Sequence, residues 1–181
     1  MTREEKLQLI RDRQKAVRDA WSREKTLVCQ GKGTVNWNSE QQRELMEKGR
    51  VSGYEGQHMK SVSQYPEYAS SADNIQFLTH EDHLAAHNMG NVNEQNGYHS
   101  VTNGYYDPET HEMHSFGNNP PHAPEAHELS NPCYKGAENS YSQPNGNEQN
   151  REYSKLASNA EYSHESNVGK NMSNGYAMWR L

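Results

Sequence analysis

Residues 53–90 read GYEGQHMKSVSQYPEYASSADNIQFLTHEDHLAAHNMG, and this stretch decides the predicted fold. Residues 75–78 form a short apolar run that predicts a strand. Thr79 then stands where the N-cap of a helix belongs, and acidic residues follow it in the first turn, so we expect a helix over residues 80–88. A short strand and a helix therefore follow one another directly.

Three histidines and one asparagine in this stretch have a spacing that suits a metal-dependent site. His83 and His87 lie four residues apart on the predicted helix, so they share a face and can hold one divalent ion through two imidazoles. His58 lies upstream on a different element, and a strand-turn-strand-helix arrangement would bring it near that ion. Asn74 stands just before the strand, where its amide could fix a loop or a base.

Hydrolysis of a phosphodiester bond requires these residue types. The reaction needs a nucleophilic water, a base that deprotonates it and a cation that stabilises the developing charge. Neutral histidine is the natural base near pH 7. A pair of histidines four residues apart is weak evidence by itself, because the chain holds 10 histidines and accidental pairs are common. The prediction depends on the ordered combination of a G-x-x-G-x-H segment, the strand and the H-x-x-x-H helix.

The segments GYEGQHMKSV, NIQFL and HLAAHNMGN resemble the HNH/endonuclease VII superfamily, and most of all the GHH-type nuclease domains at the C-termini of bacterial polymorphic toxins. AVRDAW at residues 16–21 and GKGTVNW at residues 31–37 also look like the lead-in of these domains. The resemblance covers roughly residues 13–107. It implies an α+β fold: a small ββα-metal (HNH or His-Me finger) core around one metal ion, preceded by one or two helices and followed by an irregular C-terminal extension rich in Asn, Gly and Ser.

The resemblance also implies roles for single residues. His58 would be the general base, and Asn74 would be the asparagine that orients the base and braces its loop. His83 and His87 would be metal ligands. Glu55, three residues before the base, matches an acidic residue that some family members keep near the site, and we assign it to the catalytic group.

Gln57 departs from the family pattern, in which the residue before the base is usually His, Asp or Glu and acts as a third metal ligand. A Gln carbonyl binds a hard ion only weakly. Either Gln57 is a modest ligand, or His83 and His87 hold the ion with water or with another acid such as Glu55. The resemblance implies one divalent ion as cofactor and leaves its identity open among Mg²⁺, Mn²⁺, Ni²⁺ and Zn²⁺.

The charge distribution indicates where a nucleic acid would bind. Residues 1–60 carry 13 Lys and Arg against 9 Asp and Glu, a net of +4. Residues 61–134 carry no Lys or Arg and 10 Asp and Glu, a net of −10, and residues 135–181 carry 5 of each sign. Phosphates need nearby cations, so the N-terminal third should hold the backbone. Lys60 and Arg50 are candidate phosphate contacts.

The first third of the chain is expected to be mainly helical. Apolar residues at three- and four-residue spacing predict a helix over residues 3–28. Ser39 is expected to cap a second helix over residues 40–48, which Gly49 ends. Residues 50–62 are short and mixed, and they suggest a hairpin whose inward side chains are Val51, Tyr54 and Met59.

The later part of the chain is rich in turn-forming residues. A hairpin around residues 107–110 is expected within residues 98–116, followed by loop over residues 117–150 and a weak helix over residues 151–162. We therefore predict three parts, which are a helical lead-in (1–50), the nuclease core with its following hairpin (51–116) and a loop-rich extension of unknown role (117–181).

The composition limits the core and the compartment. Apolar residues make up 31% of the chain and the mean hydropathy is −1.25, which predicts a small core helped by local devices such as a metal ion. No run approaches a membrane span, and the N-terminus lacks the apolar segment of a classical signal peptide. Cys29 and Cys133 are too few for a disulfide framework; they could pair, but two free thiols are favoured.

These patterns predict a metal-dependent endonuclease that cuts DNA with weak sequence specificity, because nothing in the chain reads as a base-recognition module. The resemblance implies a bacterial toxin effector, secreted or delivered into the cytoplasm of a target cell, with a cognate immunity protein and no membrane partner. Two alternatives stay open. One is a catalytically degenerate HNH-like binding module, which Gln57 and the acidic middle segment favour, and the other is an RNase on the same scaffold.

Overall fold

The computed structural model describes residues 1–88 and 101–136, where helices and short strands combine in an α+β arrangement. Within these residues the helices are joined by short strands that pair antiparallel, two by two. In chain order the elements are α1 (Arg3–Cys29), β1 (Lys32–Gly33), α2 (Ser39–Lys48), β2 (Tyr54–His58), β3 (Ile75–Thr79), α3 (His80–His87), β4 (Gly104–Asp107), β5 (Glu112–Ser115) and β6 (His127–Glu128), with single 3₁₀ turns at Pro66–Tyr68 and Ala72–Asn74.

The helix predicted over residues 3–28 is confirmed as α1. Thr2 caps it, since the Thr2 hydroxyl accepts from the Glu5 N–H while the Glu5 carboxylate accepts from the Thr2 N–H. The first half of the helix is mostly exposed. The second half anchors it to the domain through a buried stripe made of Ala16, Ala20, Trp21, Glu24 and Val28.

The second helix begins one residue earlier than predicted and has a different cap. Asn38, and not Ser39, is the N-cap, because its side-chain oxygen accepts from the N–H groups of Glu40 and Gln41. Ser39 already belongs to the helix. Gly49 ends the helix as predicted, in a left-handed conformation (φ 75°) that glycine adopts without strain.

β2 pairs with β3, so the local hairpin suggested for residues 50–62 is wrong. The two strands are antiparallel, with Gly56 opposite Phe77 and His58 opposite Ile75. The partner strand therefore comes from the far side of a long connection and not from a tight turn.

The strand predicted over residues 75–78 is confirmed as β3 and extends by one residue to Thr79. The helix predicted over residues 80–88 is confirmed as α3, which follows β3 without a break. Thr79 caps it as expected, because its hydroxyl accepts from the Asp82 N–H at 3.1 Å. The local signals therefore place these two elements within one residue.

One face of the β2–β3 pair packs against α1. Phe77 stacks on Trp21 with ring centroids 3.7 Å apart. Gly56 lets the helix come this close, because a Cβ at this position would stand 2.9 Å from both γ carbons of Val17. The buried core on this side consists of Ala16, Ala20, Trp21, Val28, Trp37, Leu45, Met46, Val51, Ile75, Phe77 and Leu129.

α3 and β4 cover the opposite face of the same pair. Leu78 packs there with Ala85 and Ala86 of α3 and with Tyr106 of β4. Gln76 adds a polar tie, since its amide donates to the Tyr106 carbonyl and accepts from the Tyr106 N–H. The β2–β3 pair is therefore a two-stranded layer with a helix on each side.

The hairpin predicted within residues 98–116 is confirmed as β4 and β5; residues 98–100 lie outside the described part. The Asp107 carboxylate accepts from the N–H groups of Glu109 and Thr110. Such side-chain bonds to the following backbone favour a turn, which is why the local sequence identified it.

Residues 117–136 pack back onto the N-terminal part of the chain, where the sequence suggested a loop-rich extension. β6 pairs with β1, and Leu129 enters the same core as α1. The Gln42 amide on α2 also holds two backbone groups of this segment. The expected lead-in over residues 1–50 therefore shares one core with β3 and with residues 117–136.

Three expectations concern the compartment and the tail. In residues 1–88 and 101–136, no helix combines the length and the apolar character that a membrane span requires. Cys29 is partly buried, Cys133 is exposed, and both are free thiols. The helix predicted over residues 151–162 lies outside the described residues.

Glu24 is a fully buried carboxyl group that ties α1 to the segment before α2. One of its oxygens accepts from the Trp37 indole N–H at 2.6 Å and from the Thr34 N–H at 2.7 Å, and the other accepts from the Thr34 hydroxyl at 2.9 Å. Burial raises the pKa of Glu24, and these hydrogen bonds offset the increase only in part. The bonds hold Trp37 in the core beside Trp21.

Glu24→Ala should lower the free energy of unfolding by about 3 kcal/mol, because it leaves a buried indole N–H and a backbone N–H without acceptors. Glu24→Gln is the matched control. Its amide can accept both of these bonds and donate to the Thr34 hydroxyl, so its loss should stay below about 1 kcal/mol. Urea unfolding of both variants measures the difference.

The pH dependence of this pair has a defined sign. Because folding raises the pKa of Glu24, its contribution to stability is present below its unfolded-state pKa and is lost as the pH rises through the folded-state pKa. Glu24→Gln removes this pH-dependent contribution, so the stability of the variant relative to wild type should rise as the pH increases from about 4 through the raised folded-state pKa of Glu24. A relative stability that falls over this range contradicts the raised pKa.

Candidate functional site

His58 ends β2 with a partly buried ring. Its Nε2 lies 3.1 Å from the Ala69 carbonyl oxygen. A carbonyl oxygen only accepts, so Nε2 carries the proton and the lone pair of the neutral ring belongs to Nδ1. Burial lowers the pKa of His58 to about 4, while the hydrogen bond to Ala69 opposes that change. The ring is therefore neutral near pH 7, with Nδ1 as its proton acceptor.

Asn74 is fully buried and fixes the chain that follows His58. Its side-chain oxygen accepts from the Lys60 N–H at 2.8 Å, and its amide nitrogen donates to the Lys60 carbonyl at 3.0 Å. Its own backbone carbonyl accepts from the Met59 N–H at 2.9 Å. From the other side, the Thr102 hydroxyl donates to the His58 carbonyl at 3.2 Å. The backbone around His58 is thus held on both sides.

Glu55 connects β2 to α3 through two histidines. Its Oε2 accepts from Nδ1 of His83 at 2.6 Å, and its Oε1 accepts from Nδ1 of His80 at 3.0 Å. His80 is not among the site residues that the sequence predicted. Burial raises the pKa of Glu55, but the two hydrogen bonds outweigh it, and the pKa ends below its ordinary value.

His83 is held in one tautomer by this contact. Burial lowers the pKa of His83, and the hydrogen bond to Glu55 opposes that change. A neutral His83 that donates through Nδ1 has its lone pair on Nε2. Metal-binding histidines are commonly oriented in this way by a carboxylate.

His83 and His87 lie on one side of α3, with ring centroids 5.2 Å apart. Within residues 1–88 and 101–136, no three His, Cys, Asp or Glu side chains are grouped so that they could hold a metal ion. A third protein donor from this part of the chain would therefore have to be of another type.

Gln57 is such a donor. It is 1% exposed, and neither Oε1 nor Nε2 has a hydrogen-bond partner among the described residues. Side chains alternate along a strand, so Gln57 points to the same face of β2 as Glu55, which is the face that meets His80 and His83. A buried amide without partners on this face fits a cation through its carbonyl oxygen.

Lys60 is enclosed by protein groups and does not face solvent. It is 2% exposed, its Nζ donates to the Gly117 carbonyl at 3.0 Å, and Nζ stands 4.4 Å from the centroid of the Tyr65 ring. The expected phosphate contact does not fit this placement, because the ammonium is enclosed by the Gly117 carbonyl and the Tyr65 ring. Arg50 is exposed at the end of α2.

Arg13 is a residue near the site that the sequence analysis missed. Its charge lowers the pKa of His58 and of His83 in addition to the larger effect of burial, so its guanidinium lies within electrostatic range of both rings. Arg13 is exposed and stands one helical turn before Val17, which packs on Gly56. The four-residue spacing to Val17 is the signal that could have placed it over the sheet.

The site thus combines a proton-accepting histidine at the end of β2 with two histidines on one side of α3. Residues 3–79 match the Tox-GHH family model. This family is described as a GHH signature containing HNH/Endo VII superfamily nuclease toxin. The expected resemblance is therefore confirmed for this segment, and the matched family is one of nuclease toxins. Gly56-Gln57-His58 differs from the letters of the GHH signature only at Gln57.

Curated relatives match a segment of similar length. Teneurin-3 of Mus musculus is 46% identical over 77 residues, which are 41% of this chain and 3% of the relative. Teneurin-4 of Homo sapiens is 43% identical over 67 residues, which are 36% of this chain and 2% of the relative. Teneurin-m of Drosophila melanogaster is 38% identical over 64 residues, which are 35% of this chain and 2% of the relative. The chain thus spans only a small part of the length of these relatives.

The Tox-GHH match ends where α3 begins. It includes the β2 residues of the site and Asn74, whereas His83 and His87 follow the matched residues. The proposed metal ligands on α3 are therefore supported by their spacing and by the contact between His83 and Glu55.

Asn74→Asp should lower the free energy of unfolding by about 2 kcal/mol, although the two side chains have nearly the same size. Aspartate can accept from the Lys60 N–H, but its second oxygen would face the Lys60 carbonyl, which is also an acceptor. Asn38→Asp is the matched control, because Asn38 caps α2 through its oxygen alone. Urea unfolding measures both, and equal stability of the two variants contradicts the bracing role of Asn74.

Proposed function

We propose that this domain is a metal-dependent endonuclease toxin that hydrolyses DNA phosphodiester bonds with weak sequence specificity and uses His58 as the general base. One observation carries the proposal, namely the hydrogen bond from His58 Nε2 to the Ala69 carbonyl, which leaves Nδ1 as the proton acceptor. The Tox-GHH match supports nuclease chemistry in general. DNA as the substrate comes from the resemblance to toxin nucleases.

In the proposed reaction His58 takes a proton from a water molecule at Nδ1. The oxygen of that water attacks phosphorus, the bond from phosphorus to the 3′ oxygen breaks, and the leaving oxygen takes up a proton from solvent. The charged ring that forms keeps its hydrogen bond to the Ala69 carbonyl through Nε2. Asn74 and Thr102 hold the backbone on either side, so the ring does not have to be ordered during the reaction.

His83, His87 and the amide oxygen of Gln57 would hold one divalent ion. When bound there, the ion supplies Lewis-acid stabilisation of the charge that develops on the phosphate and on the leaving oxygen. Glu55 has both oxygens engaged with His80 and His83, so we assign it to the orientation of His83 and not to the ligand set.

Arg13 is the cation that we propose for phosphate binding near the base. It is exposed, and its charge reaches both His58 and His83. A phosphate bound beside Arg13 would neutralise this charge and add a negative one, which favours protonation of His58. Lys60 is not part of this proposal, because it is buried and its ammonium donates to the Gly117 carbonyl.

A second candidate function is a catalytically degenerate binding module. Gln57 favours it, because this residue replaces the middle histidine of the GHH signature. The net charge of −10 over residues 61–134 also disfavours approach of a polyanion to that part of the chain.

The biological setting is proposed from the toxin family. The domain would act in the cytoplasm of a target cell after delivery, and a cognate immunity protein would neutralise it. An acidic inhibitor would dock on the basic first third of the chain, where it competes with the nucleic acid for the same cations.

His58→Ala should lower the rate of plasmid nicking by about 100-fold or more, because it removes the proton acceptor. His127→Ala is the control, since His127 lies exposed on β6 and its loss should leave the rate unchanged. The assay uses supercoiled plasmid with Mg²⁺, Mn²⁺, Ni²⁺ or Zn²⁺ and an RNA substrate in parallel. If wild type cuts neither substrate faster than His58→Ala with any of these ions, the enzyme proposal is lost.

Arg13→Gln should weaken DNA binding by about tenfold. It should also make the plot of log affinity against log salt concentration less steep, by the amount expected for the loss of about one phosphate contact. Binding is measured in a His58→Ala background so that the DNA stays intact. Arg11→Gln is the matched control on the same helix, where Arg11 is bonded to Gln8. If both variants lose the same amount of DNA affinity, the effect comes from the lower positive charge of the helix and not from a phosphate contact of Arg13.

A further inference from the structure

Gln57 has a counterpart directly across the strand pair that shows what a buried amide ordinarily does here. Gln57 and Gln76 are opposite each other in the β2–β3 ladder and are 1% and 4% exposed. The Gln76 amide binds both the carbonyl and the N–H of Tyr106. The Gln57 amide binds no group of the described residues through either atom. The two side chains are paired across the strands and are both buried. They differ in that the Gln76 amide has protein partners and the Gln57 amide has none among the described residues.

A buried amide without partners indicates a ligand, because such groups are almost always hydrogen-bonded in native proteins. The Gln57 amide offers one acceptor, Oε1, and two N–H donors at Nε2. It lies on the face of β2 that Glu55 joins to His83. A cation at Oε1, with a water or a phosphate oxygen at Nε2, would satisfy both atoms of the side chain.

The chemistry of the three donors determines which ions they prefer. Three imidazoles suit borderline ions such as Zn²⁺ and Ni²⁺, whereas amide and carboxylate oxygens suit hard ions such as Mg²⁺ and Mn²⁺. In the GHH signature the middle position is an imidazole, and in this chain it is the Gln57 amide. Replacing one of three nitrogen donors by a neutral oxygen lowers the affinity for Zn²⁺ more than the affinity for Mn²⁺.

We infer that Gln57 sets the ion specificity of this site and makes it a weak site for hard, oxygen-preferring cations, with Mn²⁺ or Mg²⁺ as the working ion and Zn²⁺ disfavoured. The inference rests on the proposed metal-dependent function and adds the class of ion. It assigns to Gln57 two contacts, a cation at Oε1 and an oxygen acceptor at Nε2.

A series of substitutions of similar size at one position tests this inference by direct binding. Mn²⁺ binding is followed by electron paramagnetic resonance and Zn²⁺ binding by competition with a chromophoric chelator, on the full chain in a His58→Ala background without nucleic acid. Gln57→Glu should tighten Mn²⁺ binding, and Gln57→His should tighten Zn²⁺ binding, each by about tenfold or more. Gln57→Met should lose Mn²⁺ binding while urea unfolding shows a stability equal to or above that of wild type, because it removes a buried amide without partners.

The outcomes separate this inference from the proposed function. The inference about Gln57 is overturned if Gln57→Met binds Mn²⁺ as tightly as wild type does. It is also overturned if Gln57→Glu and Gln57→His both keep the wild-type ratio of Mn²⁺ to Zn²⁺ affinity. His83→Ala controls for binding at the site, since it should lose both ions. If the series shifts as expected but wild type cuts no nucleic acid, the ion site stands and the nuclease proposal fails. If wild type cuts DNA while Gln57→Met binds Mn²⁺ normally, the nuclease stands and the role of Gln57 fails.

Discussion

The register between β2 and β3 is the constraint on which the site depends. With Gly56 opposite Phe77, the helix α1 can approach one face of the pair, and Glu55 and Gln57 are directed to the other face, toward α3. A slip of one residue would exchange the faces, because side chains alternate along a strand. It would press Glu55 against the apolar stripe of α1. The bonds of Gln76 to β4 hold the same register from the opposite side.

Buried polar side chains hold distant segments of the chain together, which in other proteins of this size is done mainly by a larger apolar core. Only 31% of the chain is apolar, and Glu24, Gln42, Asn74 and Lys60 are buried with hydrogen bonds to backbone groups of distant segments. Such bonds require a defined geometry, so they select one arrangement of loops where apolar contacts alone would permit several. Against this background the unpartnered amide of Gln57 is an exception that the packing does not explain.

The sequence predicted the features that depend on neighbouring residues. The cap at Thr79 and the end of α2 at Gly49 are local chemistry, and both were correct. The partner of β2 and the pairing of β6 with β1 depend on contacts between distant segments, so pattern reading could not find them. The inward turn of Lys60 was missed for the same reason, because its carbonyl partner belongs to Gly117 and lysine is rarely buried. The spacing of His58 from α3 indicated which elements form the site, but not that Arg13 lies near it.

The contacts of the site bear on the choice between an active nuclease and a decayed one. A largely buried imidazole such as His58 adds little apolar packing and has one ring nitrogen without a hydrogen-bond partner among the described residues, so a domain that only binds has no evident need of it. At 1% exposure, an apolar side chain of the size of Gln57 would stabilise the fold more than an unpartnered amide does. A glutamine at this position fits the proposed change of ion, because a ligand at the amide would remove the cost of burying it without partners.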